Sequence, residues 1–312
     1  ALYSMDVIVP NMLYTTILRT PVNGNRPKNF NEKEIRSMTG IQETVLLKHG
    51  VAILGKRYED LLLAKRSLKV NWSQGSNAEM FSSEKVFEEY RRVADSRKKS
   101  GHVLIQKGDT SSVLKKADRT YSADFLSDHV YHAQMEPLNA VVAVNSAGDG
   151  AEIWAGTQSP TGAIKEVAKL LGTSPPNIKL HPCLLGGGFG RRTMSDFIVE
   201  AAELSKAVRN PVKLIWSRED DLQYGAFRPM CLQRLDAGLD VDGNLIAWQH
   251  SIIGDGRRLL SSGAKIPYYE IPNQHIEIIG LNHGVRLKHW RAVGHGFTKF
   301  AIEAFLDEIA VS

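Results

Sequence analysis

The feature that most constrains this chain is a glycine-rich run at residues 184–192, which reads Leu-Leu-Gly-Gly-Gly-Phe-Gly-Arg-Arg. Because glycine has no Cβ atom, its backbone takes positive φ angles and approaches a ligand closely. Successive backbone N–H groups in such a run form a concave nest for an anion. The guanidiniums of Arg191 and Arg192 add donors suited to phosphate or carboxylate. We therefore predict a cradle for a large anionic ligand, with a tight, ligand-free glycine turn as the alternative.

Two common phosphate-binding motifs are excluded by individual residues. A Walker loop requires Lys and then Ser or Thr after its last glycine, whereas this run continues with Arg191 and Arg192. A dinucleotide fingerprint starting at Gly186 requires a further glycine at position 191. A nucleotide bound in either of these manners is therefore not expected.

Composition excludes several other classes of protein. The 312 residues are 43% hydrophobic and 23% charged, which is ordinary for a globular protein, and the length favours two domains. The net charge of +5 is mild and no long basic run accompanies an aromatic stripe, so a nucleic-acid partner is not indicated. Two cysteines, Cys183 and Cys231, are too few for an iron–sulfur cluster, although a disulfide between them stays open.

The sequence shows neither an apolar run of membrane-spanning length nor a signal peptide. Its first residues have the pattern of a strand already under way, and its last residues follow an amphipathic helix. We therefore expect the chain to be part of something longer.

Residues 1–75 have the pattern of a compact α+β unit. Its predicted elements are strands at 7–10 and 13–19, a hairpin at 44–54, a helix at 58–67 and a strand at 69–72. Residues 73–100 are polar and charged, and they predict a bridge on the surface with a helix at 83–94 and a solvated basic end at 97–99.

Strands and helices continue through the rest of the chain. The predicted elements are a strand at 117–125, a hairpin at 140–156, a helix at 160–171, a strand at 178–183, a helix at 196–208, a strand at 213–216, strands at 236–239 and 245–253, and a helix at 297–309. The acidic residues 217–221 predict a solvated turn. Residues 254–258 and 267–269 have a loop-like pattern, and the rest of 254–285 gives no clear prediction.

Four signals follow one another in a fixed order. They are the segments 131–137 (Tyr-His-Ala-Gln-Met-Glu-Pro), 157–160 (Thr-Gln-Ser-Pro), 186–192 (Gly-Gly-Gly-Phe-Gly-Arg-Arg) and 290–295 (Trp-Arg-Ala-Val-Gly-His). Along essentially the whole chain, this order resembles the large, molybdopterin-binding subunit of the xanthine oxidase family of molybdenum hydroxylases. The most similar branch is the isoquinoline 1-oxidoreductase beta subunit, which also includes nicotinate and aldehyde dehydrogenases.

The resemblance implies an α+β fold with an α/β hammerhead domain at residues 1–75. Residues 76–312 would form the first part of a mixed α/β molybdenum cofactor-binding domain. The resemblance favours a periplasmic location and leaves the cytoplasm open.

The resemblance also implies roles for individual residues. Gln158 matches a glutamine that hydrogen-bonds an oxo ligand of molybdenum, and Arg291 matches an arginine on the far side of the active site. Phe189 and Gly190 match residues beside the metal, and the Gly190 amide would donate to the apical oxo group. The cofactor-binding residues would be Gln158, Gly186, Gly187, Gly188, Phe189, Gly190, Arg191 and Arg192. For the two arginines, contact with cofactor phosphates and sealing of the loop are both open.

The implied cofactor is molybdopterin cytosine dinucleotide, whose pterin dithiolene ligates the metal without help from a protein side chain. The implied reaction is hydroxylation of an aldehyde or N-heteroaromatic substrate with water as the oxygen source. Electrons would pass to iron–sulfur clusters on a partner subunit.

Two departures from the family pattern limit this interpretation. Purine-oxidising members have Lys-Glu where this chain has Arg192 and Thr193, which argues against xanthine as the substrate. The family's base glutamate lies in a Gly-x-Gly-Glu segment towards the C-terminus, whereas this chain has no Gly-Glu dipeptide. We therefore expect the base on the remainder of the large subunit or on another chain, and no turnover by these residues alone. A non-catalytic domain or scaffold that binds a partner is the alternative.

His132 and Glu136 have the spacing of a metal-binding pair on a helix. Pro137 argues against a helix there, so we favour a structural role for both residues. His289 and His295, which flank Arg291, are interpreted as hydrogen-bonded histidines.

Overall fold

A computed structural model describes residues 2–96 and 101–312, so the basic end predicted at 97–99 lies outside the described residues. In chain order, the described strands are β1 (Leu13–Arg19), β2 (Pro27–Phe30), β3 (Ile41–Leu47), β4 (Gly50–Gly55), β5 (Val70–Trp72), β6 (His102–Lys107), β7 (Arg119–Ser127), β8 (Asn139–Val144), β9 (Ala151–Ala155), β10 (Ile178–Pro182), β11 (Val212–Ile215), β12 (Cys231–Leu239), β13 (Leu245–Asp255) and β14 (Asn273–Leu281). The described helices are α1 (Glu32–Arg36), α2 (Tyr58–Ser67), α3 (Ser83–Ser96), α4 (Thr110–Lys116), α5 (Pro160–Leu171), α6 (Asp196–Val208), α7 (Arg218–Tyr224), α8 (Arg257–Leu260) and α9 (His295–Val311). The predicted α+β class is confirmed.

The chain folds into two compact units, each built from two separate stretches. The first unit combines residues up to Glu79 with Tyr131–Ala226, and the second combines Met80–Val130 with Phe227–Ser312. In the described part of the chain, no helix is both long enough and apolar enough to cross a membrane.

The first unit is organised around a seven-stranded mixed sheet with the order β10-β9-β8-β11-β1-β4-β3. The predicted helices at 160–171 and 196–208 are confirmed as α5 and α6, and their apolar faces join the core of this sheet. Helix α5 starts with Pro160 in its first turn and ends before Gly172, whose φ of 73° provides the left-handed cap that glycine adopts easily.

The ends of β9 and β10 position the glycine loop, by which we mean residues 186–192. These two strands run parallel, and Pro182 at the end of β10 pairs with Ala155 at the end of β9. Both chains therefore leave the sheet at the same edge. One continues into Gln158 and α5, and the other continues into the glycine loop, so parallel pairing brings the two segments together.

The second unit contains a five-stranded sheet with the order β6-β14-β13-β12-β7. Helix α9 packs on it through Phe297, Ala301 and Phe305, which join a core that also contains Trp248. Helix α3 buries Val86, Tyr90 and Ala94 in another cluster with residues of this sheet. The helix predicted at 83–94 is therefore confirmed, but the idea that it only bridges the surface is wrong.

Three local predictions are corrected by the structure. Residues 7–10 form no strand, because the chain turns through a 3-10 helix at Ser4–Asp6 and then continues irregularly. The acidic residues 217–221 are not a solvated turn, since they open α7 with a capping box from Ser217 and bury Asp220 and Asp221. Residues 254–258 are not a loop, since they contain the end of β13 and the start of α8, whereas residues 267–269 lie in a turn as predicted.

A network of buried charges connects α6 to the β1–β4 part of the first unit. Both oxygens of Glu200 accept hydrogen bonds from Arg19, while His49 Nε2 lies 2.7 Å from one oxygen and Trp216 Nε1 lies 3.0 Å from the other. The Arg19 guanidinium also stacks over Trp216 at 3.7 Å. Burial alone would raise the pKa of Glu200, but Arg19 and His49 outweigh it and lower that pKa to about 2.

We predict that Glu200→Gln destabilises the chain by roughly 3 kcal/mol at pH 7, because buried Arg19 then keeps only the Asp220 carboxylate, at 3.6 Å. Since the folded-state pKa of Glu200 is depressed from 4.5 to about 2, its stabilisation is complete above pH 4.5 and is lost as the pH falls towards 2. Urea unfolding at pH 7 and at lower pH tests both points. A constant stability difference between wild type and variant at all pH values would contradict the assignment.

Candidate functional site

The glycine loop has a backbone that only a glycine-rich sequence adopts readily. Gly187 and Gly190 have φ angles of 95° and 102°, and Phe189 between them has a φ of 49°. Within the described ranges, the N–H groups of Gly187, Gly188 and Phe189 have no acceptor, although Gly188 is a buried residue. Buried backbone donors without a partner are rare in proteins. With the N–H groups of half-buried Gly187 and exposed Phe189 on either side, the Gly188 N–H group has the arrangement of a nest for anionic oxygens.

Gln158 is held against the loop by a hydrogen bond from the Gly190 N–H group to Gln158 Oε1, with a length of 2.9 Å. Because the Gly190 N–H group can only donate, this contact fixes the side-chain amide with its oxygen towards the loop. The Nε2 group of Gln158 is therefore the part of the amide left to donate to a ligand. A Cβ atom on Gly188 would lie 2.5 Å from Gln158 Oε1, so glycine is required for this close approach.

Arg192 is fully buried, and its guanidinium donates to backbone oxygens of three separate segments around the glycine loop. Its Nε donates to the Gly187 carbonyl at 3.0 Å, and its Nη1 donates to the Gly156 carbonyl at 3.1 Å. Its Nη2 donates to the Glu136 carbonyl at 2.8 Å and to the Glu136 carboxylate at 3.0 Å. Burial lowers the pKa of Arg192, and the Glu136 charge opposes that effect.

Arg191 is also fully buried, and it makes a two-pronged ion pair with Asp196 in the first turn of α6. The two N–O distances are 2.9 and 2.7 Å. Burial alone would lower the pKa of Arg191, but Asp196 outweighs it and raises that pKa. Both arginines of the glycine loop are thus engaged within the chain, and the anion-binding capacity of the loop lies in its backbone N–H groups.

The 131–137 segment packs against the glycine loop and adds a second buried polar group. Gln134 Nε2 and the Tyr131 hydroxyl donate to the two oxygens of Asp221, at 3.0 and 2.9 Å. Burial raises the pKa of Asp221, while the Tyr131 hydrogen bond and nearby arginines oppose that effect. No local sequence pattern indicates Asp221 or Asp196, because the partner of each is recognisable only once the fold is known.

Most of the predicted site residues belong to one unit. Gln158 and all residues of the glycine loop lie in the first unit, whereas Arg291 lies in the second unit on an exposed turn before α9. Two residues of that turn, Ala292 and Val293, have positive φ angles of 73° and 50°. Both cysteines are free thiols.

The described residues contain no cluster of His, Cys, Asp or Glu side chains that could hold a metal ion. What the described residues offer to a metal-containing group is backbone N–H groups and the Gln158 amide. The glycine loop fits an anionic group of this kind, because its unpartnered amides lie beside the donor end of Gln158. The apolar side chains of Leu184, Leu185 and Phe189 are exposed around the same loop.

Comparison with known proteins gives the same class. The molybdopterin cofactor-binding domain family matches residues 94–312. The chain is 34% identical to the beta subunit of isoquinoline 1-oxidoreductase from Brevundimonas diminuta, over 99% of this chain and 42% of that protein. It is 26% identical to one of the subunits of nicotinate dehydrogenase from Pseudomonas putida, over 99% of this chain and 28% of that protein.

Among solved structures, quinoline 2-oxidoreductase from Pseudomonas putida 86 matches with a TM-score of 0.80 at 17% identity, over 99% of this chain and 46% of that one. The chain belongs to the xanthine oxidase family of molybdenum hydroxylases. It corresponds to part of the large, molybdopterin-binding subunit and spans less than half the length of these relatives.

We predict losses of stability of different size for two glycine substitutions in the loop. A Cβ atom at position 186 would lie 2.3 Å from Glu136 Cβ and 3.1 Å from its backbone nitrogen. Because that neighbour cannot move aside, Gly186→Ala should cost about 3 kcal/mol. Gly188→Ala would meet the flexible end of Gln158, so it should cost about 1 kcal/mol, the net worth of one hydrogen bond. Urea unfolding of both variants measures the difference, and equal losses would count against this geometry.

Proposed function

We propose that this chain is the cofactor-cradling part of a molybdenum hydroxylase that oxidises an aldehyde or an N-heteroaromatic compound. The observation that carries the proposal is the set of three unpartnered N–H groups, of Gly187, Gly188 and Phe189, next to an amide whose donor end is left for a ligand. Family membership supplies the identity of the ligand, since the cradle itself selects only an anionic group with acceptor oxygens.

In this proposal the pterin cofactor supplies the redox chemistry when it is bound. The N–H groups of residues 187–189 bind anionic oxygens of the cofactor, and Gln158 Nε2 donates to a terminal oxygen. Gly190 acts through Gln158, because its own N–H group holds Gln158 Oε1. Fixed donors of this kind need no reorganisation during a reaction, which is the basis of electrostatic preorganisation. Arg191 and Arg192 hold the loop in place, and the backbone N–H groups rather than the guanidiniums would bind the cofactor phosphates.

The finer assignments rest on resemblance to the isoquinoline branch. We propose the cytosine dinucleotide form of the pterin and electron transfer to a partner subunit that carries iron–sulfur clusters. Arg291 would line the substrate side of the site, and the base glutamate would come from the remainder of the large subunit. The first 75 residues would form the hammerhead domain, and residues 76–312 would belong to the cofactor-binding region.

A second candidate is a non-catalytic domain or scaffold that binds a partner without turnover. The observation that favours it is the absence of a Gly-Glu dipeptide, and hence of the family's base segment, from the sequence. This candidate and the enzyme make different predictions for the metal content of the natural protein.

The deciding experiment is metal and pterin analysis of the natural protein, purified with any tightly bound partner. The proposed hydroxylase should contain about one molybdenum and one pterin per large subunit. It should also oxidise an aldehyde or N-heterocycle with a dye as electron acceptor. A protein free of both molybdenum and pterin would refute the hydroxylase and favour the scaffold.

We predict that Gln158→Glu and Gln158→Leu distinguish the role of the amide oxygen of Gln158 from the role of its Nε2 donor. Glutamate keeps an acceptor for the Gly190 N–H group but replaces the donor with a negative charge, whereas leucine removes both. Turnover per bound molybdenum should fall about 10²-fold or more in both variants, as for loss of a preorganised donor. The Gly190 N–H group should stay protected from hydrogen exchange only in the glutamate variant. Wild-type turnover in the glutamate variant would show that Nε2 has no role.

A further inference from the structure

Glu136, in the 131–137 segment, has contacts that the proposed function does not explain. Its Oε2 accepts from the Gly186 N–H group at 2.9 Å and from Arg192 Nη2 at 3.0 Å, and its Oε1 accepts from Asn139 at 2.9 Å. Its backbone N–H group donates to the Gly186 carbonyl at 3.0 Å. Glu136 and Gly186 therefore pair through both backbone and side chain, in a space where a Cβ atom on Gly186 would not fit.

The ion pair between Glu136 and Arg192 is buried, with side chains that are 10% and 0% exposed. Removing one member of such a pair leaves an uncompensated charge inside the protein. Neither carboxylate oxygen of Glu136 needs a ligand, because both already accept hydrogen bonds from this chain.

Arg192 connects Glu136 to the glycine loop and to Gln158. The Arg192 guanidinium bonds to the carbonyls of Gly187 and Gly156, and the Arg192 carbonyl accepts from the Gln158 N–H group at 3.0 Å. The same carbonyl accepts from the Thr157 hydroxyl at 3.0 Å. The position of Gln158 relative to the nest therefore depends on where Arg192 is held.

We propose that Glu136 is a positioning residue which, through Arg192, holds the glycine loop and Gln158 in the arrangement that receives the cofactor. This inference rests on the proposed function. It assigns Glu136 no contact with cofactor or substrate. Its effect is on the distance between the Gln158 donor and the N–H groups of the loop, and a displacement of that kind is costly at a site whose donors must be preorganised.

The test uses the natural full-length protein with its partner. The variants are Glu136→Gln, Arg192→Lys and the double variant, and Glu152→Gln is the matched control. Glu152 is half-exposed and pairs with His181, which lies on the neighbouring strand of the same sheet. This ion pair includes no residue of the glycine loop. Loop exchange, meaning hydrogen exchange of the Gly186 and Gly190 N–H groups, is measured by mass spectrometry, together with molybdenum content, kcat per molybdenum and KM.

We expect loop exchange to be about tenfold faster or more in both single variants, as for loss of a hydrogen bond to a charged group. The value of kcat per molybdenum should fall by about the same factor with KM unchanged. The reason is that Gln158 loses its position, while the surface that binds the substrate is unaltered. The double variant should be little worse than either single variant, since both changes break one interaction. Glu152→Gln should match the wild type in every measurement.

Unchanged loop exchange in Glu136→Gln and Arg192→Lys would overturn the proposal, as would equal effects in Glu152→Gln. If Glu136→Gln does not fold, the result for Arg192→Lys decides, because lysine keeps the buried charge but cannot donate to all four acceptors of the planar guanidinium. A wild-type protein that lacks molybdenum and pterin would contradict the proposed function and, with it, the positioning of a cofactor. The exchange measurement would then still decide whether Glu136 holds the loop.

Discussion

The interaction on which the rest of the site depends is the buried guanidinium of Arg192. It joins three parts of the chain that are far apart in sequence, through the carbonyls of Gly187 and Gly156 and both the carbonyl and the carboxylate of Glu136. A glycine loop has few side chains with which to anchor itself, and its backbone carbonyls still need donors. One planar cation with several N–H groups satisfies these acceptors together. The loop is therefore held by a side chain rather than by regular secondary structure.

This use of the arginines changes the electrostatic picture of the site. Two adjacent guanidiniums after a glycine run suggest that the arginines bind phosphates directly. In the structure, however, the buried carboxylates of Asp196 and Glu136 neutralise the two guanidiniums. The groups left to meet an anion are neutral N–H dipoles with fixed directions. Such a nest favours an anionic ligand without carrying a mobile charge. It also leaves the net charge of the cradle near neutral, so selectivity depends on the position of donors rather than on a strong local field.

Much of the fold could be predicted from the sequence where local signals were strong. Pro160 and Gly172 marked the bounds of α5, and apolar periodicity predicted α2 and α6 with the bounds that the structure has. Two of the predictions that were wrong, for residues 83–94 and 217–221, concern tertiary burial. The charged stretch at 217–221 buries Asp221, because Tyr131 and Gln134 come to it from 87 or more residues away. The clamp between Glu136 and Arg192, separated by 56 residues, was likewise invisible to any local pattern.

The contacts that form the cradle lie within one unit, since the loop, Gln158, Glu136 and Asp196 all belong to Tyr131–Ala226. Its geometry is thus set by the sheet edge where β9 and β10 end and by two buried ion pairs, without residues of the second unit. Arg291, the residue expected to face a substrate, belongs to that second unit. The contacts that hold Gln158, from the Gly190 N–H group to its side chain and from its own N–H group to the Arg192 carbonyl, therefore come from residues of the first unit alone.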